Sequence, residues 1–214
     1  MAAAPEILAS LRHLLAERFP TAPRTTGRVL PTQLAAVDEF SRGLPLGALT
    51  EIVCAAPSCG GHLLLAQLLA VTRTARRRVA LIDSSDSFDP ASHPDDLLVH
   101  LLWVRCAGLP VALQAADLLA RDANLGLVVL DLHHASLADL RRIPGPQWYR
   151  LQRAVEPTDL ALVVFTPRAS VPSAQLRLAL AHSHDFSALE CERPVLVAKL
   201  SPTLQRQRLQ AAAG

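Results

Sequence analysis

Between Thr50 and Ala70 the chain runs from a short apolar stretch (Glu51-Ile52-Val53) through a small-residue loop into a Leu-rich helical pattern. That order is the layout of a strand, a phosphate-binding loop and a helix. A working loop of this kind reads G-x-x-x-x-G-K-[ST]: backbone N–H groups cradle the phosphates, a lysine reaches the outer ones and a hydroxyl holds Mg²⁺. Here the frame ending at Gly60 is Ala55-Ala56-Pro57-Ser58-Cys59-Gly60-Gly61-His62. Alanine replaces the opening glycine, Gly61 stands at the lysine position and His62 at the hydroxyl position. Ser58, Gly60, Gly61 and His62 thus form the remnant of a nucleotide site without its charged chemistry.

Two carboxylates join this loop. Val79–Asp83 and Leu127–Asp131 are apolar runs ending in Asp. In open α/β sheets ligands bind at the carboxyl ends of the strands. Asp131 is therefore expected where an Asp would hold the water shell of Mg²⁺, although a terminal Asp also caps the following turn in many structural strands. His133 and His134 follow directly. On an extended segment neighbouring side chains point to opposite sides, so the pair is not expected to face one ion together. A centre drawn from His62, Asp131 and one of these two histidines is the alternative to no metal at all. Imidazole suits zinc and other transition metals better than Mg²⁺. The expectation is no metal, and no bound ATP or Mg²⁺.

The elements that would position these groups alternate. A short helix over Leu34–Phe40 and the turn Ser41–Gly47 precede the first strand. Later strands are expected at Val79–Asp83, Leu101–Val104, Leu127–Asp131 and Leu160–Thr166, with helices at Leu63–Val71, Val111–Arg121 and Pro146–Val155. Near-continuous apolar strands alternating with helices predict a mostly parallel α/β sheet covered on both faces. Leu176–Ala181 and Pro194–Leu200 read as two late strands forming an antiparallel extension at one edge. Arg76-Arg77-Arg78 reads as a solvated helix end.

Ahead of this core, Ile7, Leu11, Leu14 and Leu15 recur at helical spacing. The helix packs either on its own domain or on a partner or second copy, because a Pro/Thr/Arg-rich linker to Arg28 gives it reach. The chain divides into residues 1–28 (helix and linker), 29–202 (core) and 203–214 (flexible tail).

With 214 residues and half of them apolar, one core is affordable. The net charge of +2 does not announce a nucleic-acid binder. The single lysine is Lys199, so none lies near the loop. The four cysteines form no C-x-x-C pair and read as buried thiols of a reducing cytosol. No signal peptide or membrane-length apolar span is present, and a cytoplasmic protein is expected.

In its order of segments the chain resembles the RecA superfamily. Leu30–Asp38 resembles the segment before the RecA core. Gly43-Leu44-Pro45-Leu46-Gly47-Ala48-Leu49-Thr50-Glu51-Ile52 resembles the G-L-P-x-G-x-[IL]-x-E-I lead into the phosphate loop, and Ile82–Pro90 resembles I-D-A-E-x-A-[LF]-D-P. In the last, Ser85 stands where the water-activating Glu would be. Leu101–Cys106 and Trp148–Ala154 look most like ImuA-type proteins. That resemblance implies a RecA-like P-loop NTPase core that has lost catalysis. It also implies an adaptor role in the bacterial DNA damage (SOS) response, with error-prone translesion synthesis and location at the nucleoid when active. Its partners would be an ImuB-like relative of Y-family polymerases, an error-prone polymerase and, weakly, DNA. Arg141, Arg142 and Arg168 are the candidate DNA contacts, and the N-terminal helix serves partners or self-association. A SulA-like division inhibitor and a divergent DNA-dependent ATPase are the alternatives.

Overall fold

The computed structural model describes residues 28–208. The N-terminal helix expected from Ile7, Leu11, Leu14 and Leu15 lies outside them.

A small antiparallel pair opens the core. Strand β1 (Val29–Leu30) lies beside β2 (Leu44–Pro45), with helix α1 (Ala35–Ser41) between them in sequence. Asp38 folds this entry segment back on itself: its carboxylate accepts from the Thr32 hydroxyl at 2.8 Å and from the Gln33 N–H at 2.9 Å.

The main sheet has seven strands. They are β3 (Ala48–Cys54), β4 (Arg78–Asp83), β5 (Leu101–Arg105), β6 (Leu125–Asp131), β7 (Ala161–Thr166), β8 (Leu176–Leu180) and β9 (Thr203–Gln207). Their spatial order is β5-β4-β6-β7-β3-β8-β9. Every neighbouring pair is parallel except β8 with β9. Strands β3, β6 and β7 are buried on both faces, which is why they read as continuous apolar runs.

Successive side chains alternate between two cores. Ile52, Leu127 and Val129 pack with helix α2 (Gly61–Thr74) on one face. On the other, Leu49, Val128 and Leu130 pack with α4 (Leu109–Leu119), α5 (Leu137–Arg142) and α6 (Gly145–Val155). Trp148 and Leu151 of α6 are essentially inaccessible, and each large apolar side chain buried in this way contributes roughly 2 kcal/mol.

Three expectations need correction. Residues 194–200 are not a strand. Arg193–Ala198 forms a helix, α7, following the four-residue helix α3 (Asp95–Leu98) and the others in chain order. Pro194 sits in its first turn, where a missing N–H costs nothing. The partner of β8 is instead β9, so the folded core continues through residues 203–207, which were expected to belong to a flexible tail. Only β9 makes the edge antiparallel, since β8 runs parallel to β3. Helix α5 was not expected at all. Its start is marked by Ser136, whose hydroxyl accepts from the Asp139 N–H at 3.1 Å.

Candidate functional site

The carboxyl ends of β3, β4 and β6 bring the loop before α2, Asp83 and Asp131 to one face. Asp83 and Asp131 are register partners on adjacent strands. Their carboxylates do different things.

Asp83 is spent on its own loop. It accepts from the N–H groups of Ser85 (3.1 Å), Ser87 (3.2 Å) and Phe88 (3.0 Å) and from the Trp103 indole (3.3 Å). Burial opposes its charge, but these donors outweigh burial and hold its pKa below the usual carboxylate value. Ser85 is therefore part of a turn wrapped around Asp83, with its hydroxyl near that of Ser84.

Asp131 instead turns to the histidines. Its Oδ1 accepts from the His133 N–H at 3.1 Å and lies 2.6 Å from His133 Nδ1. Burial disfavours a charged His133, but the hydrogen bond and charge of Asp131 prevail and raise its pKa. His133 and His134 do not splay apart as expected of an extended segment. The chain turns after β6, and the two ring centroids are 3.7 Å apart. His62 approaches from the first turn of α2. Its ring meets His133 edge-on, with centroids 5.2 Å apart at 83°. One edge of His62 reaches solvent, while desolvation by the surrounding protein lowers its pKa. The ligand atoms of His62, Asp131 and His133 all lie within 4.8 Å of one another.

The loop itself is tightly enclosed. Gly60 has φ +87°, a left-handed conformation at the helix N-cap. A Cβ there would lie 2.5 Å from Leu200 Cδ2 and 3.2 Å from His184 Nε2. The His184 N–H also donates to the Ser58 carbonyl at 3.0 Å. The segment leading into and out of α7 thus covers Gly60 and Ser58. Gly61 faces Cys54, whose Sγ would be 3.0 Å from an added Cβ. The thiols of Cys54 and Cys59 are hydrogen-bonded. This bond, with the N–H groups of Gly61 and Ala56 acting against burial, brings Cys59 down to about 6 and keeps Cys54 protonated.

Sequence reasoning missed a second buried constellation. Glu51, fully buried on β3, accepts from the Thr166 hydroxyl (3.0 Å), the N–H groups of Ser170 (2.6 Å) and Val171 (3.1 Å), and Arg177 Nε (2.5 Å). It pins the turn after β7 to the sheet. The signal was a Glu inside an otherwise apolar strand, which a sheet buried on both faces cannot leave unpaired.

The expected DNA contacts Arg141, Arg142 and Arg168 are all exposed. Arg168 lines a groove of about 720 Å³ with Ala135, Ser136, Leu137 and Gln205. Ser136 and Leu137 begin α5, whereas Arg141 and Arg142 stand at its far end, where Arg142 pairs with Asp139 at 3.1 Å.

Among the described residues, no helix is long and apolar enough to cross a membrane. No protein-family model matches the chain, and no curated protein matches it. A RadB recombinase structure is similar, with a TM-score of 0.57 at 16% identity, over 71% of this chain and 82% of that one. At that identity the likeness concerns the fold, and the chain has a RecA-like α/β fold.

Proposed function

We propose that this RecA-like chain is a non-catalytic adaptor that has lost nucleotide chemistry and acts through protein contacts. The observation that carries the proposal is the β3–α2 loop. It offers Gly61 and His62 where a lysine and a hydroxyl would be needed, and Leu200 and His184 stand over Gly60. Without the lysine, the main charge opposing developing phosphate negativity is gone. Ser85, at the position of the water-activating carboxylate, has no base to offer. The turn from Arg168 to Ser173 is short and tied to Glu51, which leaves little chain to hold a DNA strand.

The sequence resemblance to ImuA-type proteins supplies the setting: damage-induced, error-prone synthesis, with an ImuB-like protein and a polymerase as partners. DNA contact through Arg141, Arg142 and Arg168 would be weak and strongly salt-dependent.

Two measurements test the reading. Millimolar ATP with Mg²⁺ should neither shift the melting temperature nor be hydrolysed; hydrolysis that disappears in Asp131→Ala would overturn it. In a pull-down, the full chain should retain the ImuB-like protein and lose most of it when residues 1–28 are removed. Retention of a tubulin-like division protein instead would make the chain a division inhibitor.

A further inference from the structure

We propose that His62, Asp131 and His133 form a binding site for a single transition-metal cation of the Zn²⁺ class, built where a nucleotide's phosphates and Mg²⁺ would otherwise sit. The inference stands on geometry and is independent of which partner the chain serves.

Three donors from two elements converge on one point. Their ligand atoms all lie within 4.8 Å of one another. In a closed tetrahedral shell with bonds of about 2.1 Å, donors stand about 3.4 Å apart, so the gap closes by side-chain rotation alone. His62 supplies that freedom, being exposed in the first turn of α2.

The ring geometry points the same way. An imidazole bound end-on at about 2.05 Å places its centroid about 3.2 Å from the metal, so two at a tetrahedral angle have centroids about 5.2 Å apart. The His62 and His133 centroids are 5.2 Å apart.

Two of the donors already share a proton that a cation can displace. Asp131 Oδ1 lies against Nδ1 of His133 and also accepts its backbone N–H. An ion at this point takes the place of the proton shared by Nδ1 and Oδ1, so both atoms ligate it while the backbone N–H keeps the carboxylate in position. Two imidazole nitrogens and one carboxylate oxygen make three protein ligands, with water completing the fourth position. That donor set favours Zn²⁺, Co²⁺ or Ni²⁺ and disfavours Mg²⁺, which prefers oxygen.

Calorimetric titration of the chelator-treated full chain with Zn²⁺ tests the site. Wild type should bind one Zn²⁺, and Co²⁺ should give the visible bands of a tetrahedral ion. His62→Gln, which alters an exposed side chain and leaves the fold intact, should weaken binding at least about tenfold, as should His133→Gln. His182→Gln, an exposed histidine outside the cluster, should bind as wild type does, and Mg²⁺ in excess should not compete. Undiminished Zn²⁺ affinity in both His62→Gln and His133→Gln, or no binding by wild type, overturns the proposal.

Discussion

Cys59 is the residue whose chemistry departs furthest from what its surroundings in sequence suggest. It read as an inert buried thiol, and it is buried. Yet the Cys54 thiol and the loop N–H groups bring it to about 6. Ultraviolet absorbance should therefore show one thiolate forming near pH 6, and Cys59→Ser should remove that titration. Glu51 shows the same dependence on tertiary partners. Four donors meet a fully buried carboxylate, and Glu51→Gln should destabilise the fold by about 3 kcal/mol in denaturant unfolding. Asp83 sets an acid limit. Its folded pKa lies below the ordinary carboxylate value. Its contribution is therefore present above about pH 4, the unfolded carboxylate value, and fades as pH falls through the lower folded value. In Asp83→Asn the stability profile should lose that acid slope, as read by melts across pH.

At the scale of elements, the parallel strands were legible because burial on both faces forces unbroken apolar runs. The two elements at the end of the chain were not. Val195-Leu196-Val197 is apolar with two β-branched valines, so it imitates a strand; the helix is set by Pro194 and by contact with α2, and local propensity loses to tertiary context. Strand β9 reads Thr-Leu-Gln-Arg-Gln and is largely exposed. An edge strand needs no apolar face, so no hydrophobic pattern announces it. Truncation after residue 202 would uncover the mostly buried β8. The truncated chain should then self-associate, with a larger mass by light scattering than the full chain at equal concentration. The candidate site was half legible. His62, Asp131 and the His133–His134 pair could be named from sequence. Their meeting could not, because it depends on the strand order and on the turn after β6.

On the scale of the whole molecule, the sheet gathers its chemistry at one end and closes its two edges differently. Edge strand β5 is guarded by charge: Arg105 pairs with Asp86 at 2.5 Å and lies over the Trp103 ring at 5.1 Å. The opposite edge is closed by β9, and the covering of Gly60 depends on the chain just before it. Leu200 reaches the loop only from far along the sequence. The cover rests on the sheet and pairs no strand, so it is expected to form after the central strands have assembled. The loop's cover is therefore predicted to lie outside the transition state for folding. Leu200→Ala should steepen the loss of the native state in time: stopped-flow chevrons should show faster unfolding with a nearly unchanged refolding rate.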